Sequence, residues 1–358
     1  MSDSLLIKSL FRNYSVNFVG DFTQPLKELV EDHAFFIVDA AVWELYKEKL
    51  QVVIPDGRLL LIEANEKNKS LDKCREVIES LVERKVRRNE KIVAIGGGVI
   101  QDITAFSASI TYRGIEWAFF PTTLLAQADS CIGSKTSINL GDKKNLIGNF
   151  YPPSAIFVDL SFLDSLSTDD IKSGIGEIMH YYIYAASPLF DELVSDYTMI
   201  LGNRKLLLEH IRESLKIKKS VIENDEFDRG ERNKFNYGHT FGHALESVTD
   251  YAIKHGQAVT VGMDMANFIS MKMGFVKPEI YHNIHAQLAI NFPEYDWPTI
   301  DIDRYFNLLA QDKKNVGCNV GCILAKDSGI LFKEQLPRDD KLRELINAYF
   351  AQQALPRK

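Results

Sequence analysis

Over residues 1–164, short runs of consecutive apolar positions alternate with stretches whose apolar residues recur every three or four places. Phe35-Phe-Ile-Val38, Lys91-Ile-Val-Ala-Ile95, Trp117-Ala-Phe-Phe120 and Ile156-Phe-Val158 read as buried strands. Between them, Leu71, Cys74, Val77, Ile78 and Leu81 share one side of a helix expected from Ser70 to Lys85. Strands separated by helices predict a parallel sheet covered on both faces, as in a Rossmann-like nucleotide domain.

Over residues 165–358 the period changes. Helical spacing dominates Asp169 to Ala186, Lys205 to Glu223, Phe241 to Asp250 and Ala258 to Met273. Gly321-Cys-Ile-Leu324 and Gly329-Ile-Leu-Phe332 keep strand character and are expected to pair as a hairpin. The expected fold class is therefore α/β plus α: an N-terminal Rossmann-like parallel-sheet domain (1–164), then a mostly helical domain (165–358).

Composition narrows the function. At 46% hydrophobic the chain has the content of an ordinary globular enzyme. Its longest apolar runs fall far short of the roughly 20 residues that span a bilayer. The opening MSDSLLIKSLFRNYS carries no long apolar core and no small-residue cleavage site, so a cytoplasmic protein is expected. A net charge of −7 argues against bulk nucleic-acid binding but leaves room for a local basic pocket. Cys318 and Cys322 are spaced C-x3-C without a second pair, and with Cys74 and Cys131 they read as reduced thiols.

Several motifs carry chemistry. GGGVIQD, Gly96 to Asp102, follows a strand and opens a helix, where glycines let the backbone approach a pyrophosphate. Phe120-Pro-Thr-Thr-Leu-Leu125 adds two hydroxyls after the next strand, toward the same crevice. Asp129-Ser-Cys-Ile-Gly-Ser-Lys135 and Gly141-Asp-Lys-Lys-Asn145 place lysines among small residues, a setting for phosphate. Glu177, in the apolar stretch GIGEIMH, needs a partner for its buried charge, and a metal ion can serve. His239, His243 and His255 are the histidine candidates. His239 and His243 share a helix face, but Thr240 stands where a zincin protease needs its glutamate, so that reading is rejected. His33, His210, His282 and His285 read as structural or surface residues.

In order, GGGVIQD, the Arg113-Gly pair, PTTLLAQADSCIGSK, KNLIGNFYPP, GIGEI, RNKFNYGHTFGH, HGQAV and DKK resemble the 3-dehydroquinate synthase family of sugar phosphate cyclases. The resemblance runs from about residue 35 to about residue 335. It implies NAD and a zinc (or cobalt) ion as cofactors, a sugar phosphate substrate, a homodimer, and no nucleic-acid or membrane partner. It makes Glu177, His239 and His255 the metal ligands, and turns His243 toward the substrate phosphate with Asn236. Lys135 and Asn145 match substrate contacts, and Arg113 an arginine lent across the dimer. Lys313, Lys314 or both complete the phosphate pocket, while Lys218 and Arg232 hold the substrate carboxylate. Asp39, Glu66 and Lys69 lie toward the adenosine end of NAD. Gly97, Gly98 and Asp102 line the pyrophosphate turn, with Thr122, Thr123, Lys135, Lys144, Phe162 and Ser165 around the rest.

The implied reaction oxidises a hydroxyl transiently, eliminates phosphate, reduces the ketone again and closes a carbocycle by an intramolecular aldol step. Asp129 would orient the reacting hydroxyl or accept its proton. Two positions depart from the family pattern. His180 replaces the usual lysine three residues after the zinc glutamate and is expected to donate a hydrogen bond less well as pH rises. Gln257 replaces a glutamate beside His255. The alternatives are a cyclase for sedoheptulose 7-phosphate or glucose 6-phosphate, a glycerol-1-phosphate dehydrogenase, and a non-catalytic NAD- and zinc-binding paralogue. Lys218, Arg232 and His243 together favour dehydroquinate synthesis.

Overall fold

A computed structural model describes residues 4–141, 143–312 and 314–354. Of the candidate site residues, Lys313 lies outside the described residues. The chain divides into two compact units: Met1–Ser167 with Lys218–Asp228, and Thr168–Ile217 with Arg229–Lys358.

The first unit is built on a seven-stranded sheet. Its strands are β1 (Ser4–Ile7), β2 (Tyr14–Phe18), β3 (Phe35–Asp39), β4 (Leu59–Ile62), β5 (Lys91–Gly96), β6 (Glu116–Pro121) and β9 (Ala155–Val158). They lie in the order β1-β2-β9-β6-β5-β3-β4, parallel throughout except for β1 against β2. The strands read from apolar runs form its middle, and Phe35 to Val38 and Ile92 to Ile95 are fully buried. Helix α1 (Leu71–Glu83) starts where Ser70 accepts a hydrogen bond from the Lys73 amide, and turns Cys74, Val77 and Leu81 inward. Helix α2 (Gly98–Ile110) follows β5 directly.

The sequence reading left out β1, β2 and β4. Nor does the apolar pattern mark a strand at residues 141–145, where lysines among small residues read as a setting for phosphate. In the structure, β7 (Ile138–Leu140) and β8 (Lys143–Ile147) form an antiparallel ribbon there. Backbone pairing explains the difference: Ile138 is buried, and the Asn139 amide donates to the Lys69 carbonyl at 2.8 Å. Two lysines on β8, Lys143 exposed and Lys144 half-buried, hide the strand from any hydrophobic count.

The second unit is helical apart from one hairpin. Its main helices are α3 (Thr168–Tyr184), α4 (Arg204–Ile222), α5 (His239–Val248) and α6 (His255–Lys272), with the last turn of α4 counted in the first unit. The hairpin pairs β10 (Asn319–Ala325) with β11 (Leu331–Pro337) antiparallel. Gly256 to Ser270 are buried without interruption, which makes α6 the axis of this unit. Among the described residues, no helix is long and apolar enough to cross a membrane.

Candidate active site

In the first unit, β3 has β4 on one side and β5 on the other, so the strand order reverses there. Ligands of open α/β sheets bind at the carboxyl ends of strands at such a point. β3 ends at Asp39, whose carboxylate accepts a hydrogen bond from the Ala41 amide at 3.0 Å; burial raises its pKa. β5 ends at Gly96, and α2 opens with its N-terminus at Gly98. A Cβ on Gly98 would meet nothing within 4 Å, whereas one on Gly97 would press on Thr123 Cγ2 at 3.0 Å. The residues therefore fit a dinucleotide: bare backbone, a helix N-terminus and open space in front of it.

Behind this turn the Lys69 ammonium lies 2.6 Å from Asp102 Oδ2 and donates to Asn145 Oδ1 at 2.6 Å. Asn139 supports both neighbours: its Nδ2 donates to Glu66 Oε1 at 2.8 Å, and its Oδ1 accepts from the Asn145 amide at 2.9 Å. Burial raises the Asp102 pKa against the pull of Lys69. Glu66, Lys69, Asp102 and Asn145 thus meet in one network. The Thr122 amide donates to the Gly96 carbonyl at 2.9 Å, and Lys144 stands on β8. The Phe162 ring is fully buried in the core, stacked on Phe22 at 4.5 Å, and Ser165 accepts from the Tyr46 hydroxyl at 3.1 Å.

A second cluster in this unit centres on two lysines. Lys218 Nζ donates to both the carbonyl and Oδ1 of Asp129 at 2.8 Å. Asp129 sits in a wide π-helical turn, Ala126–Ser130, a geometry that often re-aims a side chain at a functional site. Lys135 Nζ meets Asp228 Oδ2 at 2.5 Å. Arg113 sits in a left-handed turn, with φ of 62°, before Gly114.

In the second unit, backbone contacts bring three helices together. A Cβ on Gly256 would collide with the Ser173 carbonyl oxygen, and one on Gly176 with the Gly256 carbonyl oxygen, so α3 and α6 meet main chain to main chain. Gly238, before α5, has φ of 78°, and a Cβ there would strike Met263 and the Val259 carbonyl. These approaches converge Glu177, His239 and His255. Glu177 Oε1 lies 3.7 Å from His239 Nε2 and 3.2 Å from His255 Nε2. One ligand atom from each of the three residues falls within 4.8 Å of the others.

The Nδ1 atoms face away from this point. His239 Nδ1 lies 3.2 Å from the Tyr237 carbonyl, and His255 Nδ1 lies 2.9 Å from Glu246 Oε2. Burial alone would raise the Glu177 carboxyl, yet the charges of His239 and His255 hold it below the usual carboxylate range. Burial lowers His239; for His255 the pull of Glu246 and Glu177 outweighs burial and raises it. Glu177 Oε1 is buried and accepts no hydrogen bond of good geometry. A buried carboxylate oxygen facing two imidazole Nε2 atoms is the donor set of a divalent zinc or cobalt ion, so the residues fit a metal.

His243 lies beside this group, its ring 5.6 Å from His255 and 5.5 Å from His239. Lys314 pairs with Asp312 at 2.8 Å and its charge reaches His239. Asn236 Nδ2 donates to the Asn233 carbonyl at 2.8 Å, and Arg232 is buried in the same short turn. His180 is buried, its Nδ1 3.9 Å from Glu177 Oε2, among the rings of Tyr181, Phe235, Tyr237 and His239.

Two residues of this chemistry escaped the sequence reading. Glu246 sits three places after His243, and its only signal was a carboxylate on the histidine helix. Asp228 gave no signal, because its partner Lys135 lies 93 positions away. Of the histidines read as structural, His210 bonds the Tyr182 hydroxyl at 2.8 Å and His285 pairs with Asp264 at 2.8 Å.

The architecture is that of sugar phosphate cyclases. The structure superposes on 2-epi-5-epi-valiolone synthase from Streptomyces hygroscopicus, solved with NAD+ and Zn2+, with a TM-score of 0.83 at 22% identity, covering 97% of this chain and 99% of that one. It also superposes on 2-deoxy-scyllo-inosose synthase complexed with carbaglucose-6-phosphate, NAD+ and Co2+, with a TM-score of 0.81 at 23% identity, over 96% of this chain and 99% of that one. Within that class the sequence is specific. Residues 59–173 match the N-terminal and residues 174–315 the C-terminal model of 3-dehydroquinate synthase. The chain is 36% identical to the 3-dehydroquinate synthase of Dictyoglomus thermophilum over 95% of its own length and 92% of that protein. It belongs to the 3-dehydroquinate synthase family.

Proposed function

We propose that the protein is a 3-dehydroquinate synthase, a lyase that converts 3-deoxy-D-arabino-heptulosonate 7-phosphate to 3-dehydroquinate and phosphate, in the shikimate route to aromatic amino acids. The observation that carries this is the convergence of Glu177, His239 and His255 in a chain 36% identical to a 3-dehydroquinate synthase over 95% of its length. When bound, NAD accepts and returns a hydride, and a divalent metal polarises the substrate oxygen.

The residues of the chain do the rest. Gly97, Gly98 and the start of α2 receive the NAD pyrophosphate, and Asp39 its ribose. Glu177, His239 and His255 hold the metal. Lys218 and Arg232 are assigned to the substrate carboxylate, where a guanidinium fork suits a planar anion. Lys135, Asn145, Asn236, His243 and Lys314 are assigned to the phosphate, whose departure their charge and hydrogen bonds favour. Asp129 accepts or orients the hydroxyl proton. Holding the ring-opened product of elimination in a fixed pose brings its ends together for closure. A cytoplasmic homodimer in which each subunit lends Arg113 to the other completes the reading; light scattering tests the dimer.

One observation favours a second reading: His180 in place of the family's lysine suits a cyclase for sedoheptulose 7-phosphate or glucose 6-phosphate. Phosphate release is measured with NAD and zinc on all three sugar phosphates. Turnover of the heptulosonate alone is expected. Turnover of another sugar phosphate alone overturns the substrate assignment.

A further inference from the structure

In the first unit, the loop between β1 and β2 is fastened to the segment Lys218–Asp228, which the chain inserts into this unit long after the sheet is complete. The Lys8 amide donates to Glu223 Oε1 at 2.7 Å. Ser9 Oγ donates to Glu226 Oε1 at 2.7 Å, and the Leu10 amide to Glu226 Oε2 at 2.8 Å. Both oxygens of the buried Glu226 carboxylate are thus engaged by one loop. Burying a carboxylate is costly unless such bonds are made, so the pairing is a fixed joint rather than a surface contact.

The joint continues into packed rings. Phe227 stands edge-on to Phe11 at 6.1 Å and to Phe150 at 4.8 Å. The backbone of Phe150 bridges to Lys135. At the end of the same segment, Asp228 adopts a left-handed φ of 58° and meets Lys135 Nζ. At its start, Lys218 is bound to Asp129. The loop also holds Arg12 on Glu116 at 2.7 Å, but every residue of the 218–228 segment that it grips lies between two residues that hold Lys135 and Asp129.

We propose that Glu226 is a positioning residue. With Ser9 and Phe11 it clasps the 218–228 segment, so that Asp228 and Lys218 hold Lys135 and Asp129 in place for a doubly anionic sugar phosphate. This rests on the reading that Lys135 and Lys218 contact substrate, and the test separates the two.

Hydrogen exchange of the whole enzyme is read first, because it needs no substrate. In Glu226→Gln, amides of residues 218–228 exchange about tenfold faster than in wild type, while those of α5 and α6 keep their rates. The KM for the sugar phosphate that wild type turns over rises about tenfold, with kcat within about twofold. In an Asp228→Asn background the same substitution adds well under half of that KM effect, because both act through one segment. Ser9→Ala gives a weaker form of the same pattern and serves where Glu226→Gln does not fold. Unchanged exchange in the folded variants overturns the clasp. Faster exchange with an unchanged KM, or additive effects in the double variant, overturns the positioning role. Failure of wild type to turn over the heptulosonate would sink the proposed function and leave the exchange result to decide the clasp.

Discussion

Glu246 accepts a hydrogen bond from His255 Nδ1 at 2.9 Å, while on the other side of the ring His255 Nε2 lies 3.2 Å from Glu177 Oε1. A carboxylate behind a histidine fixes the ring's tautomer and raises its strength as a ligand. Glu246→Gln is expected to weaken zinc affinity about 10- to 100-fold without changing NAD affinity. Competition against a chelator of known affinity checks it; wild-type zinc affinity in the variant would refute the role.

Two glycines separate packing from binding. Gly256→Ala drives a methyl into the Ser173 carbonyl where α3 meets α6. Backbone cannot yield as a side chain can, so a loss of about 1–3 kcal/mol is expected, with weakened metal binding because Glu177 moves from His255. Gly98→Ala has open space around its methyl and sits at a helix start. There stability holds and NAD affinity falls. Thermal melts and NAD titrations distinguish the two.

Lys69→Met leaves Asp102 without its cation. Lys69 is buried but the Asp102 side chain is 21% exposed, so the loss falls below the roughly 3–5 kcal/mol of a fully buried pair. Burial already raises Asp102 against the pull of Lys69, and without that pull its folded-state pKa rises further. A carboxyl raised in the folded state favours folding below its unfolded pKa, and that advantage is lost as pH rises through the folded value. The penalty is therefore greatest at neutral pH and shrinks on acidification. Denaturant titrations of both proteins across pH 4–7 follow it, and a pH-independent difference would contradict the assignment.

His210 gives the opposite sign. Burial lowers its pKa, although Asp196, Glu192, Glu209 and Glu213 pull it upward. The folded protein keeps it neutral while the unfolded chain accepts a proton below the ordinary value of about 6.5. Stability is thus fully present above that pH and declines as pH falls through it. His210→Asn should flatten this slope between pH 7 and 5.5, read by urea midpoints.

His180 tests the substrate assignment directly. Its ring is enclosed by aromatic neighbours beside Glu177. The substrate carboxylate is assigned to other cations, Lys218 and Arg232. His180→Lys is accordingly expected to keep the heptulosonate as preferred substrate. A switch to sedoheptulose 7-phosphate would make this position the determinant.

The sequence by itself determined the parts set by local periodicity and by short ordered motifs. The buried strands β3, β5 and β6, helices α1 and α3 to α6, and the glycine turn after β5 all announce themselves within a few residues, because apolar period and backbone freedom are local properties. Residue type marked Glu177, His239, His243 and His255 as metal candidates, and the family resemblance singled out Glu177, His239 and His255. Only the tertiary structure decided what depends on contacts between distant positions. It paired β1 with β2 at the sheet edge, turned a lysine-rich stretch into the β7–β8 ribbon, set Glu246 behind His255, and joined Asp228 to Lys135 across 93 positions. It also tied Lys8 to Glu223 across 215 positions. Such pairings arise from the packing of whole elements, where burying a charge demands a partner, and the apolar period along the chain carries no trace of them.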